Sequence, residues 1–113
     1  DIQTLQNALA KVLSLRGVSY NWKDPEKDSN TQLGLIAQEV EKIYPELVKT
    51  DNEGNKHLRY TGLIAPLIEA LKELSDENAA LRTELESLTE NQEGLKAEVE
   101  LIKEQLLMQG KAK

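Results

Sequence analysis

The sequence predicts an α+β protein, with a small head of short helices and β-hairpins followed by a long C-terminal helix that forms a parallel coiled coil. Three observations predict this class. The single tryptophan and the three tyrosines all lie before residue 61 of the 113 residues. The same part of the chain holds short amphipathic and alternating segments, and the rest holds a heptad repeat. We therefore assign residues 1–62 to the head, 63–110 to the coiled-coil helix and 111–113 to a frayed tail.

The N-terminal third contains one helix-like and one strand-like pattern. Residues 2–13 predict a short amphipathic helix whose apolar face is formed by Ile2, Leu5, Leu9, Val12 and Leu13. Val18, Tyr20 and Trp22 alternate with polar residues, which is typical of a half-buried strand. The polar residues 24–32 predict a loop or a hairpin tip.

The next segment predicts a second helix and a second hairpin. Residues 33–44 carry a helical stripe made of Ile36, Ala37, Val40, Ile43 and Tyr44. Pro45 ends this helix, because the residue before a proline avoids the α-helical region. Leu47 and Val48 lead into a strand, 51–55 form a turn, and 57–60 form the returning strand.

From residue 63 a heptad repeat dominates. With Ile64 at position a, eleven of the fourteen a and d positions up to Gln109 are aliphatic. The predicted oligomer interface, which we call the a/d stripe, consists of Ile64, Leu67, Leu71, Leu74, Asn78, Leu81, Leu85, Leu88, Gln92, Leu95, Val99, Ile102 and Leu106. Such a helix is about 70 Å long at 1.5 Å per residue. A head of this size cannot cover it, so other copies of the chain or another partner must bury the stripe.

Charges and polar layers favour a parallel arrangement. In a parallel coil, Glu77 faces Arg82 and Glu98 faces Lys103 on a neighbouring copy, whereas an antiparallel pair would place like charges together. Asn78 and Gln92 can bond to their own copies only in a parallel register. The mixed Ile, Leu and Val layers leave two or three strands open.

Composition excludes several function classes. The net charge is −6, with 9 acidic and 8 basic residues in 1–62 and 11 and 6 in 63–113, so no basic surface suited to a nucleic acid is predicted. The absence of cysteine excludes disulfides and thiolate metal sites. No apolar run approaches the length of a membrane span. Because the chain begins with Asp1, we expect a fragment or a processed product.

Few residues are candidates for chemistry. Gln38, Glu39 and Glu41 could be taken for an acid–base cluster, but solvent-facing or capping roles are favoured. His57 has no clustered ligands and predicts no metal site. For Tyr20 and Trp22, packing in the core or at a subunit interface is favoured over a ligand platform. We therefore predict no catalytic, cofactor-binding or metal-binding residue, and no cofactor.

Two blocks of sequence, 33–48 and 58–74, are distinctive. Their most characteristic residues are Gly34, Ile36, Ala37, Gln38, Glu39, Val40, Pro45, Tyr60 and Pro66, which we call the motif residues. Together with Asp1-Ile2 and the segment Tyr20-Asn21-Trp22, these blocks resemble the C-terminal intramolecular chaperone domain of phage tailspikes and tail fibres, the endosialidase type. The resemblance covers residues 1–75, and the downstream coil is generic.

The resemblance implies a homotrimer that aligns the chains of an upstream β-rich client in the same polypeptide. It implies release by self-cleavage at the N-terminal boundary, in the host cytoplasm during virion assembly. The family's Ser–Lys dyad lies in a Ser-Asp-x-Arg-x-Lys pattern immediately before the part that matches Asp1-Ile2. Ser14 and Lys11 lie outside this pattern and in the wrong order, so they receive no catalytic role. This chain by itself is expected to be inactive as a protease.

Two other functions stay open. The chain could be an oligomerisation module that remains attached to its cargo, or a self-cleaving release domain of a protein that is not from a phage. The upstream sequence separates them: a Ser-Asp-x-Arg-x-Lys pattern favours release, and a β-rich fibre favours the phage chaperone. For the 24–32 loop, contact with the client and a solvated connector are equally favoured.

Overall fold

The structure, a computed structural model, describes residues 1–111. Its elements are α1 (Ala8–Leu13), β1 (Val18–Tyr20), β2 (Gln32–Gly34), α2 (Ala37–Ile43), β3 (Val48–Thr50), β4 (Lys56–Leu58) and α3 (Ile64–Lys111), with 3-10 helices at Pro45–Leu47 and Tyr60–Leu63. The predicted α+β class, with short helices and hairpins before one long helix, is confirmed. Of the predicted tail, Lys111 is the last residue of α3, and residues 112 and 113 lie outside the described residues.

Contacts divide the chain into two units, Asp1–Leu74 and Ser75–Lys113. The first unit contains both hairpins, both short helices and the start of α3. The predicted head covers residues 1–62, and the first unit extends beyond it to Leu74. The first three turns of α3 thus take part in the packing of the head.

Each of the two sheets is an antiparallel hairpin. β1 pairs with β2 with Val18 opposite Gly34, and β3 pairs with β4 with Val48 opposite Leu58. The turn of the second hairpin is held by Asp51, whose Oδ1 accepts the N–H groups of Glu53 and Asn55 at 2.9 Å each. Gly54 takes the left-handed backbone conformation there (φ 85°), which glycine adopts without steric cost.

The strand predictions were correct in place and wrong in extent. The first strand ends at Tyr20, so Trp22 lies beyond it, and the returning strand of the second hairpin ends at Leu58. Sequence patterns do not predict β2 (Gln32–Gly34), because residues 33 and 34 precede the helical stripe without a break. A three-residue strand inside an apolar run has no period of its own, and here pairing with β1 decides its conformation.

The predicted helix over 2–13 is wrong in its first half. Asn7 has a left-handed backbone (φ 57°), and α1 begins only at Ala8. The carboxylate of Glu73 accepts the N–H groups of Ala8 and Leu9 at 3.1 and 3.0 Å. The first N–H groups of a helix have no partner within the helix. The Glu73 carboxylate supplies that partner here, so α1 can begin at Ala8. Ile2, which the pattern placed on the buried face, is fully exposed.

The core of the head lies where α2 meets the second hairpin. Its buried side chains are Val40, Tyr44, Leu47 and Leu63, which are 1%, 3%, 4% and 7% exposed. Val40 lies within α2, and Tyr44 is the C-cap residue of this helix. Pro45 follows Tyr44, so the helix ends where the proline predicts. Gly62 lies against this core so closely that a Cβ there would collide with the side chain of Leu47. No described buried side-chain nitrogen or oxygen lacks a hydrogen-bond partner.

Substitution of Leu47 by alanine tests this core. We expect Leu47→Ala to lower the free energy of unfolding by about 2 to 5 kcal/mol, because Leu47 is only 4% exposed and removal of most of its isobutyl group leaves a cavity. Denaturant unfolding followed by Trp22 fluorescence measures the change at a fixed protein concentration. Leu13→Ala is the control, because Leu13 is 73% exposed and should change stability by no more than about 0.5 kcal/mol. Equal effects of the two substitutions would contradict the described core.

Candidate functional site

The first three turns of α3 have two apolar faces. Leu63, just before the helix, and Pro66 and Ala70 are buried within the head, at spacings of three and four residues. Pro66 is the third helical residue, where its missing N–H has no intrahelical partner to lose. The other face carries the a/d residues of these turns, which are exposed by 42% to 67%: Ile64, Leu67, Leu71 and Leu74.

In the second unit the stripe continues with no cover from the described residues. Its aliphatic members are between 49% and 64% exposed: Leu81, Leu85, Leu88, Leu95, Val99, Ile102 and Leu106. Asn78 and Gln92 are exposed as well. Apolar surface that is contiguous over such a length marks an interaction site in soluble proteins.

The head contains a groove of about 710 Å³ that is lined by several motif residues. Ile36, Ala37 and Gln38 line it from the start of α2, and Tyr60 lines it from the 3-10 helix before α3. Tyr20 and Trp22 form part of its wall, with their rings edge to face and centroids 5.3 Å apart. Sequence patterns did not predict this groove, and only the alternation of Tyr20 and Trp22 could have indicated this surface.

Tyr60 connects the first hairpin to the region before α3. Its hydroxyl oxygen accepts the N–H of Leu35 at 3.2 Å. A Cβ on Gly34 would lie 2.5 Å from this hydroxyl and 3.2 Å from the ring of Tyr20. The glycine therefore leaves the space that the tyrosine occupies, which brings two motif residues from separate sequence blocks together.

Gln38, Glu39 and Glu41 of α2 lie in three different surroundings. Glu39 forms a bidentate ion pair with Arg16 at 2.7 and 3.2 Å, and this bond lowers the pKa of Glu39 and raises that of Arg16. Glu41 pairs with Lys56 at 2.9 Å. Gln38 lines the groove. The three side chains thus contact different partners instead of one another, and Val40 between them belongs to the core.

Other singled-out residues have structural partners. His57 Nε2 lies 2.9 Å from Asp51 Oδ2, and this hydrogen bond is the main reason that the pKa of Asp51 falls to about 2. Ser14 donates its hydroxyl to the Ala10 carbonyl at 3.1 Å. Lys11 Nζ lies 5.3 Å from the centre of the Tyr44 ring. Ser14 and Lys11 therefore form no dyad.

Neither a metal site nor a membrane span is found in the part of the chain that the structure describes. Residues 1–111 contain no group of three or more histidine, cysteine or acidic residues placed to hold a metal ion. None of the described helices combines the length and the hydrophobicity that a bilayer crossing requires.

With this geometry established, the chain can be compared with known proteins. Residues 1–49 match the chaperone of endosialidase family. The resemblance predicted from the sequence is thereby confirmed. Among the motif residues, Gly34, the segment 36–40 and Pro45 lie within the matched part, whereas Tyr60 and Pro66 follow it.

Two relatives are long tail fiber proteins. Gp37 of Escherichia phage AR1 is 37% identical over 80 residues, which cover 65% of this chain and 7% of that protein. Gp37 of Salmonella phage S16 is 31% identical over 96 residues, which cover 78% of this chain and 13% of that protein. This chain therefore spans only a small part of the length of these relatives.

The contact between Gly34 and Tyr60 can be tested by a double-mutant cycle. We expect Gly34→Ala to destabilise the head, because its Cβ meets the Tyr60 hydroxyl. The loss should be smaller when Tyr60→Phe is also present, since that substitution removes the oxygen. Unfolding free energies of the four proteins give the coupling. Additive effects of the two substitutions would exclude the proposed contact.

The low pKa of Asp51 predicts a pH dependence. Its carboxylate is bonded in the folded state, so its contribution to stability is complete above pH about 4, the ordinary range for aspartate, and is lost as the pH falls towards about 2. NMR titration of the Asp51 carboxyl should report a midpoint of about 2. In His57→Ala the midpoint should rise, because the main hydrogen bond is gone. An unchanged midpoint would assign the shift to another cause.

Proposed function

We propose that this chain is an intramolecular chaperone of a phage tail fibre or tailspike. It trimerises, sets the chains of an upstream β-rich client in register, and is released by self-cleavage at its N-terminal boundary. In this proposal residues 1–62 act as the chaperone head and 63–110 as the coiled coil. The observation that carries it is the exposed a/d stripe on a chain whose head matches the chaperone of endosialidase family.

The stripe supports association of identical chains. Full burial of one leucine or valine side chain is worth about 1.5 to 3 kcal/mol, and eleven aliphatic side chains repeat along the stripe. Asn78 and Gln92 interrupt it, and in a parallel, in-register assembly each amide meets its own copies. An antiparallel arrangement, or one slipped by a single heptad, would bury these amides against aliphatic side chains. In this proposal the partners are two further copies of this chain and the upstream client, and no nucleic acid is bound.

Trimerisation provides a physical route to client registration. Long β-rich chains fold slowly, because loop-closure entropy is lost before distant contacts form. A coiled coil forms from local helices, and it raises the effective concentration of the joined chain ends to about the millimolar range. The names of both relatives support a tail fibre as the client, and their lengths suit a short module within a long fibre polypeptide.

Release by self-cleavage requires a catalytic dyad, whereas the alternative function, a permanently attached module, does not. Ser14 and Lys11 contact different groups, so neither residue forms a Ser–Lys pair in the described chain. A dyad for release would have to come from residues upstream of Asp1 in a longer polypeptide. Without such a dyad, the same assembly would serve as a permanently attached oligomerisation module.

Sedimentation equilibrium tests the assembly. The wild-type chain should have three times its mass of 12.7 kDa, about 38 kDa. Leu85→Asp places a charge in an a layer and should raise the concentration needed for assembly by at least about tenfold, because buried charges are costly. Ser87→Asp adds the same charge at an outer position and should leave the mass unchanged. A wild-type monomer at micromolar concentration would refute the proposal.

Self-cleavage is tested on the natural polypeptide that carries this chain. We expect expression to yield two products, with the new N-terminus at the serine of a Ser-Asp-x-Arg-x-Lys pattern upstream of Asp1. Replacing that serine by alanine should leave one uncut, trimeric product, and Ser14→Ala should change nothing. If the wild-type polypeptide stays whole while it trimerises, the attached module is the correct function.

A further inference from the structure

α3 caps α1 across a long sequence distance. Glu73 Oε1 accepts the N–H of Ala8 at 3.1 Å, and Glu73 Oε2 accepts the N–H of Leu9 at 3.0 Å. Asn7, at the N-cap position itself, makes no side-chain cap. The first N–H groups of a helix have no intrahelical partner. Here a carboxylate 64 and 65 positions further along the chain satisfies two of them.

The cap lies in a packed environment within the first unit. Ala8 is fully buried, and Ala70, one turn before Glu73 on the same face of α3, is 4% exposed. Burial raises the pKa of the Tyr44 hydroxyl, and the nearby carboxylates of Glu46 and Glu73 add to this rise. The charge of Glu73 is therefore close to the junction of α1 with the core.

The same turn of α3 carries two residues of the a/d stripe. Leu71 and Leu74 flank Glu73 and are 67% and 42% exposed. In the proposed trimer, neighbouring copies cover both leucines. One turn of helix would then be fixed by the neighbours on one side and would hold the start of α1 on the other.

We propose that Glu73 is a positioning residue that couples trimer assembly to the placement of the N-terminal segment, residues 1–7. This inference rests on the proposed function. Packing of neighbours on Leu71 and Leu74 fixes the turn that carries the carboxylate, and the carboxylate fixes the first amides of α1. In the proposed function residues 1–7 join α1 to the boundary of the client, so assembly of the chains would hold that boundary more firmly in one place.

Hydrogen exchange of the Ala8 and Leu9 amides in the chain 1–113 tests the coupling. In the trimer, Glu73→Ala should accelerate exchange of both amides at least about tenfold, because two charge-assisted bonds are lost. Glu73→Gln should have a smaller effect, because its one amide oxygen can still accept a bond. Glu90→Gln, at an outer heptad position of the same helix, removes an equal charge and should leave both amides unchanged.

Dilution distinguishes the coupling from a purely structural cap, because a purely structural cap would protect the Ala8 and Leu9 amides equally in the trimer and in the separated chain. In the wild type, protection of Ala8 and Leu9 should fall at least about tenfold when the trimer dissociates, while the β3–β4 amides stay protected. In Glu73→Ala the two amides should exchange fast at every concentration. If Glu73→Ala unfolds the head and exposes the β3–β4 amides, the comparison is made with Glu73→Gln. In that variant the Ala8 and Leu9 amides should exchange faster than in the wild type while the β3–β4 amides stay protected.

Two results would overturn the coupling. One is protection of Ala8 and Leu9 that persists in Glu73→Gln and Glu73→Ala trimers, and the other is wild-type protection that does not change on dissociation. Sedimentation of the same samples separates the two proposals. Absence of a trimer refutes the proposed function, whereas a trimer with unchanged protection refutes only the role of Glu73.

Discussion

The need to bury the a/d stripe is the constraint on which the rest of the structure depends. Apolar side chains recur along α3 at heptad spacing, and the described residues leave them half exposed or more. Association must supply the missing contacts, since exposed apolar surface of this extent is unfavourable in water. Proposals about register, release and client folding all presuppose that identical copies supply them.

Packing of the head leaves the a/d stripe exposed. Its core is small, with four buried side chains around α2 and the second hairpin, and a core of this size gives little stability by itself. Leu63, Pro66 and Ala70 add a second line of burial along the start of α3. Leu67 and Leu71 lie on a neighbouring face of the helix and stay exposed, so packing of the head leaves the stripe free for packing with other chains. One helix can therefore belong to both.

The sequence predicted features that depend on local chemistry. Heptad spacing located α3, Pro45 marked the end of α2, and alternation at Val18 and Tyr20 located β1. The errors fall where distant contacts decide local structure. The apolar spacing of Ile2 and Leu5 suits a helix, but Glu73 captures the first amides of α1 and the helix begins at Ala8.

The same limit applies to the candidate sites. The members of the stripe could be named from the heptads, because a continuous helix fixes which residues share a face. The groove could not be predicted, because it forms only when β1, α2 and the segment around Tyr60 come together. The closeness of Gly34 and Tyr60 likewise depends on a contact between residues 26 positions apart.

Parallel, in-register association can be measured most directly by cross-linking. The chain has no cysteine, so Asn78→Cys introduces a single thiol in one a layer, and Gln92→Cys introduces one two heptads later. Mixed chains carrying one or the other substitution should form disulfides only between identical positions when they are oxidised. Disulfides that join position 78 to position 92, or no disulfide at either layer, would contradict the arrangement on which the proposed function rests.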